Sequence, residues 1–162
     1  MTAEPGHRVE RRRSEPPAGA ESGAFWEATR EGRLLVQWCT ACDRGIFYPR
    51  VLCPHCGGVG TIGVAGGPLE WREASGRATV HAAVVEHRPE IAGAAFAGGA
   101  PFCIALVDLE EGVRMMTNVV GCPPADVHSG MAVTVLWEPL SDGRQLALFR
   151  PIGPARENGA ES

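Results

Sequence analysis

Cys39-Thr40-Ala41-Cys42-Asp43-Arg44-Gly45-Ile46-Phe47-Tyr48-Pro49-Arg50-Val51-Leu52-Cys53-Pro54-His55-Cys56 carries two Cys-x-x-Cys pairs with ten residues between them. That interval suits a short hairpin returning the second pair to the first, so that four thiolates surround one ion. Sulfur ligands three residues apart fit a tight turn whose backbone N–H groups point at the thiolates, and Zn²⁺ accepts four of them tetrahedrally. Gly57 and Gly58 follow the second pair and are free to take positive φ, while Pro54 fixes φ within it. Asp43 holds the equivalent place after Cys42, a tolerated left-handed position. The reading is a zinc ribbon held by Cys39, Cys42, Cys53 and Cys56, with one zinc per chain.

A closed set of four sulfurs leaves no open coordination position, so such a metal supports the fold and does no Lewis-acid chemistry. Two disulfides are the structural alternative, disfavoured because no signal peptide leads the chain. Iron with the same sulfurs is the redox alternative. His55, inside the second pair, reads as a solvated knuckle residue rather than a fifth ligand.

Outward from the knuckles, Leu34–Trp38 and Gly45–Pro49 are β-formers flanking the first pair, and Ala24–Arg33, with Phe25 and Trp26, reads as a short helix capped by Ser22. Beyond the glycine-rich 57–67, turn-bounded strands are expected at Leu69–Glu73, Arg77–His87, Phe102–Leu109, Val113–Gly121, Ala132–Pro139 and Gln145–Phe149. Strands at that spacing, with no helix long enough for crossovers, point to a small barrel of the OB-fold kind. The fold class is therefore mainly β, with a short N-terminal helix and a rubredoxin-like zinc ribbon before an OB-fold barrel. The expected division is 1–22 disordered tail, 23–66 helix and ribbon, 67–152 barrel, and 153–162 disordered tail.

Composition excludes several chemistries. The chain of 162 residues is 44% hydrophobic, ordinary for a packed core, and no apolar run reaches the span of a bilayer, so a cytoplasmic protein is expected. All fifteen basic residues are arginine, which removes Schiff-base lysines and lysine-bound cofactors. Ten arginines against thirteen acidic residues between positions 23 and 155 give net −3, against a phosphate-tracking surface.

Catalytic candidates are few. Cys103 sits in an apolar strand and reads as core; Cys122 lies at a strand end with no base beside it. Among His81, His87 and His128, only His87, beside Arg88-Pro89, stands where chemistry could be near. Glu110 and Glu111 read as a solvated turn tip rather than an acid/base couple. Gly57-Gly58 and Gly66-Gly67 lack the strand-glycine-helix context of a phosphate loop. The loop from Pro89 to Pro101 is long and apolar, and calls for a surface to lie on.

Taken in order, Gly32-Arg33-Leu34, Gln37, Tyr48-Pro49-Arg50, Cys53-Pro54-His55-Cys56-Gly57, Ser75-Gly76-Arg77, His87-Arg88-Pro89, Val119-Val120-Gly121-Cys122 and Phe149-Arg150-Pro151 resemble the zinc-ribbon plus OB-fold proteins encoded beside thiolase-like enzymes. Asp43 departs from the family's usual glycine. The resemblance implies a non-catalytic accessory subunit, in lipid or polyketide metabolism, that binds a thiolase-like acyltransferase, thiolase or aldolase in a hetero-oligomer and helps form its active site or CoA channel. On that reading Arg50, Arg88 and Arg150 are candidates for contact with CoA phosphates or partner carboxylates, since a guanidinium fork binds either, against the plainer reading of surface ion pairs. Phe25, Trp26, Ile91 and Phe96 are the candidate interface. The alternatives are a nucleic-acid-binding module and a stand-alone thiol or redox enzyme.

Overall fold

The structure is a computed structural model that describes residues 16, 17, 19–58, 68–87 and 101–153. Its first element, α1 (Gly23–Thr29), buries Phe25, Ala28 and Thr29, the i, i+3, i+4 stripe of a helix lying on a core. Ser22 stands at the N-cap without a side-chain cap bond; its hydroxyl is engaged with the Gly19 backbone instead. The helix is shorter than the sequence pattern predicts, because Gly32 at φ 70° ends it. The Gly32 N–H reaches the Thr29 carbonyl and the Arg33 N–H the Ala28 carbonyl, a Schellman motif.

β1 (Leu34–Cys39) pairs antiparallel with β2 (Arg44–Ile46) on one side and with β3 (Leu69–Ala74) on the other. The strand read from Leu69–Glu73 thus forms, but in the ribbon's sheet rather than with the barrel strands. Its register, Leu34↔Ala74 through Cys39↔Leu69, covers all of β1. The remaining strands, β4 (Arg77–Glu86), β5 (Phe102–Leu109), β6 (Arg114–Val119), β7 (Ala132–Pro139) and β8 (Gln145–Pro151), close a five-stranded barrel in the order β4-β5-β6-β8-β7. A short 3-10 turn, Pro124–Asp126, links β6 to β7.

The apolar alternation of each strand explains the closure. In β5, Cys103, Ala105, Val107 and Leu109 point inward, against Val80, Met115, Val119, Val133 and Phe149 from its neighbours. Phe25, Leu34 and Val36 belong to that same core, so helix, β1 and barrel are packed as one body. A second, smaller cluster of Cys39, Ile46 and Cys53 sits beneath the knuckles. Among the described residues no helix is long and apolar enough to cross a membrane.

Candidate metal centre and the surfaces around it

Cys39 ends β1, Cys42 follows within the turn to β2, and Cys53 and Cys56 lie in the second knuckle. Their four Sγ atoms lie within 4.8 Å of one another. Cys39 Sγ is 3.7 Å from Cys56 Sγ, and Cys42 Sγ is 3.6 Å from Cys53 Sγ. These separations are far beyond a disulfide bond of about 2.05 Å, and all six cysteines are free. They match the edge of a tetrahedron with metal–sulfur bonds of about 2.3 Å, which is about 3.8 Å long. The donor set therefore fits a tetrathiolate ion such as zinc.

The turns form as their residues require. Asp43 takes φ 53° and Gly57 φ 72°. The His55 N–H points at Cys53 Sγ at 3.4 Å, and the Gly57 N–H closes on the Cys53 carbonyl at 2.9 Å. Burial pushes Cys53 up, but the His55 and Cys56 N–H groups outweigh it and bring that thiol down to about 6. Burial, with the neighbouring thiols, drives Cys42 up to about 12. Four sulfurs this close cannot all ionise unaided, and a cation at their centre would supply the missing charge.

Arg50 has its backbone fixed by the buried Gln37 amide while its side chain is exposed at a cleft between the second knuckle and the barrel. Arg44, His55, Glu111 and Arg114 share that cleft. Arg150 lies on β8 opposite Thr134 and does not line it. Arg88, Ile91 and Phe96 fall outside the described residues. Of the two helix aromatics, Phe25 is 6% exposed and meets Trp26 and Phe47 edge-on at 5.0 and 5.8 Å, so it is a core residue rather than an open surface. Trp26 is half-buried, with the Arg144 guanidinium 4.8 Å from its ring centre.

His87 stands exposed just past the end of β4 and does not line the knuckle cleft; the other chemical candidates are accounted for by their contacts. Cys103 is buried, and burial raises its thiol; burial, then Asp126, raises Cys122. Neither is the exposed, activated thiolate a nucleophile needs. His81 Nδ1 lies 3.0 Å from Arg114 Nη2 and 3.4 Å from Asp108 Oδ2, and His128 Nδ1 lies 3.0 Å from the Ser129 carbonyl. Glu110 and Glu111 are not a free tip. Glu110 pairs with Arg77 at 2.8 Å and Glu111 accepts the Ser75 N–H at 2.6 Å, tying the β5–β6 turn to the β3–β4 turn.

The burial of three polar residues escaped the sequence reading. Gln37 entered only as a mark of the family, and its place in the middle of an apolar strand was the signal that it is buried. Thr29 Oγ1 donates to the Trp26 carbonyl at 2.7 Å and accepts the Gln145 N–H at 3.1 Å, docking α1 onto β8. Arg144 is paired with Asp142 at 2.6 Å and donates to the Pro16 carbonyl at 2.8 Å.

Two domain families match the chain: the rubredoxin-like zinc ribbon domain of ChsH2 over residues 26–60, and the C-terminal OB-fold domain of ChsH2 over residues 71–138. A probable enoyl-CoA hydratase alpha subunit of Thermomonospora curvata is 36% identical over 88% of the chain, which covers 41% of that protein. The chain thus spans about two fifths of that relative's length. A DUF35 domain-containing scaffold protein of Methanocaldococcus jannaschii is 31% identical over 72% of the chain and 77% of its own length. Among solved structures, the Ltp2-ChsH2(DUF35) aldolase superposes with a TM-score of 0.68 at 33% identity, over 85% of this chain and 98% of the other.

Proposed function

The chain belongs to the ChsH2/DUF35 family of rubredoxin-like zinc ribbon plus OB-fold proteins, and from that membership we propose that it is a non-catalytic scaffold subunit, bound in a hetero-oligomer to a thiolase-like enzyme that processes acyl-CoA. The observation that carries this reading is the superposition over 98% of a chain solved in an aldolase whose name joins ChsH2(DUF35) to Ltp2. It is supported by chemistry: a sulfur-only metal site with no open position, Cys103 and Cys122 with thiols raised by burial, and His81 and His128 held by a neighbouring side chain and a carbonyl. Neither His81 nor Asp108 lines the knuckle cleft, so their pair does not face a bound substrate there.

On this reading Cys39, Cys42, Cys53 and Cys56 hold one zinc, which when bound fixes the two knuckles and supplies no reaction chemistry. Its work is to hold the Tyr48–Arg50 segment against the barrel, so that Arg50 and Arg44 stand ready for partner carboxylates or the phosphates of a CoA thioester at the shared interface. The working compartment is the cytoplasm, where thiols stay reduced. The acidic balance of the folded stretch favours this function over nucleic-acid binding.

The test is reconstitution. The pure chain is mixed with each purified thiolase-like subunit of the same genome and assayed for aldol cleavage, thiolysis and acyl transfer on acyl-CoA substrates. Co-elution with one subunit, and turnover by the complex but not by the chain, is expected; turnover by the chain alone, or association with none, rejects the proposal. A hydratase-linked role is the second reading, favoured by the Thermomonospora curvata relative. The same assay with an enoyl-CoA substrate reads it.

A further inference from the structure

The barrel closes unevenly. The β5–β6 ladder has six register pairs and the β7–β8 ladder seven, but the parallel pairing of β6 with β8 has only Val119↔Phe149. Before that pair the strands part, and the gap is bridged by Thr117 Oγ1 donating to the Ala147 carbonyl at 2.9 Å. An apolar groove of about 580 Å³ opens over the parted strands. Trp26 of α1, Phe47 and Tyr48 of the ribbon, and Ile104, Met116 and Leu146 of the barrel form its walls. Tyr48 is 50% and Met116 54% exposed, large for side chains of that kind and contiguous rather than scattered. Pro16 and Pro17 stand along the same groove, and the Arg144 bond to the Pro16 carbonyl fixes that end.

Charge and size choose the occupant. Among the described residues Glu21 is the only lining residue with a full charge, so a charged segment entering here would lose hydration without a counter-ion. The surface that fits is apolar and uncharged. A stable complex needs roughly 800 Å² from each partner, so a segment seated in this groove would be the centre of a wider contact that reaches over the helix, ribbon and barrel elements that wall it.

We propose that this groove is where the thiolase-like subunit docks, inserting an apolar segment with Met116 and Tyr48 at the centre of the contact. The proposal rests on the scaffold-subunit reading and adds to it the surface and the kind of segment recognised. Aromatic and methionine side chains at the centre of an interface carry most of its energy.

The experiment measures affinity by titration calorimetry between the full chain and the thiolase-like subunit that co-elutes with it, for the wild type, Met116→Asp, Tyr48→Asp and Val84→Asp. Val84 is as exposed as Met116 but lies on β4, outside the groove's lining. All three positions are on the surface, so each variant is expected to fold, which circular dichroism checks. Loss of tenfold or more in affinity for Met116→Asp and Tyr48→Asp, an unchanged Val84→Asp, and slowed hydrogen exchange at 115–118 and 146–148 in the complex are expected. Unchanged affinity for both groove variants, or an equal loss for Val84→Asp, overturns the groove while leaving the scaffold reading standing. A homodimer of the free chain that Met116→Asp dissolves gives the groove to a second copy and overturns the proposal as well. Binding to no thiolase-like subunit removes the reading on which it rests.

Discussion

The side-chain amide of Gln37 and the backbone of Arg50 hold each other by two hydrogen bonds: Gln37 Nε2 donates to the Arg50 carbonyl at 3.0 Å, and Gln37 Oε1 accepts the Arg50 N–H at 2.9 Å. Gln37 is a buried polar residue in β1. It takes the place of a strand partner for a segment that has none, and so sets where the chain runs between the two knuckles. Gln37→Leu keeps the volume but strips both partners from Arg50. A buried backbone group left without a partner costs about 1–3 kcal/mol, so a loss of roughly 2 kcal/mol or more in chemical denaturation is expected, together with faster hydrogen exchange at 47–52. A Leu variant as stable as the wild type would show that water serves Arg50 equally well.

Zinc should be present at one per chain when the protein is purified without chelator, as read by elemental analysis. Cys53→Ser should abolish that stoichiometry. The structural consequence is expected to be graded, because β1 is held by β3 along its whole length and shares the barrel's core, whereas the second knuckle has only the small Cys39, Ile46, Cys53 cluster. Hydrogen-exchange protection should therefore vanish at 42–58 and persist at 34–38 and in β5. Uniform loss over the barrel would mean that the metal, not the shared core, organises the whole chain.

The contrast between what was legible in the sequence and what was not follows the range of the interactions. The four cysteines are a local pattern, and their spacing alone defined the cluster. The barrel strands were legible because Ser75-Gly76, Glu110-Glu111-Gly112 and Ser141-Asp142-Gly143 punctuate them, and their bounds came within about two residues. Strand partners were not, since Leu69–Ala74 alternates like any strand and nothing within it says that β1 is its neighbour. Gly32, which entered only as a mark of the family, was a local signal for the helix end that went unread. The burial of Arg144 gave no local signal, because the Pro16 carbonyl it donates to lies 128 residues away in the chain and the Trp26 ring it covers is on α1.

Thr29 makes the helix's docking directly testable. It is fully buried, and its hydroxyl and carbonyl receive the Gln145 N–H at 3.1 Å and the Gln145 side-chain amide at 2.8 Å. Thr29→Val preserves shape and removes the hydroxyl, leaving one buried N–H unpaired. A loss of about 1–3 kcal/mol is expected, and Thr29→Ser, which keeps the hydroxyl, should recover most of it. Equal losses in the two variants would assign the effect to packing of the methyl group.

Acid sensitivity should have a minor local component at Asp108. The Arg114 hydrogen bonds hold its carboxyl below the usual range, with burial opposing. A carboxyl depressed in the folded state contributes stability above its unfolded value, and loses it as pH falls through the folded one. The side chains are 41% and 48% exposed, so the contribution is under about 1 kcal/mol. Asp108→Asn should therefore lower stability near neutral pH by under about 1 kcal/mol and leave it unchanged once pH is below the folded value, so that the two stability-versus-pH curves converge in acid; a larger loss at neutral pH would mean that Asp108 has a further partner.

The last prediction separates two arginines that the sequence placed on equal terms. Arg50 has a fixed backbone, an exposed side chain with no carboxylate partner among the described residues, and a cleft beside it that Arg44 shares. Arg150 is exposed on β8, also without such a partner, but stands apart from that cleft. Arg30, Arg33, Arg72, Arg77, Arg114 and Arg144 are all satisfied by carboxylates of the fold. An unpaired guanidinium beside a cleft is the one that can bind an external anion without first giving up a partner. Arg50→Glu should therefore weaken assembly with the thiolase-like subunit, or raise the apparent KM of the complex for acyl-CoA, by about tenfold, while Arg150→Glu changes either by less than about threefold. Tenfold corresponds to about 1.4 kcal/mol, the loss expected for one charge-assisted contact. The salt dependence distinguishes the two outcomes from misfolding: raising ionic strength should erase the difference between wild type and Arg50→Glu. If Arg150→Glu proves the more damaging of the two, the anion contact belongs on β8 and not beside the knuckle.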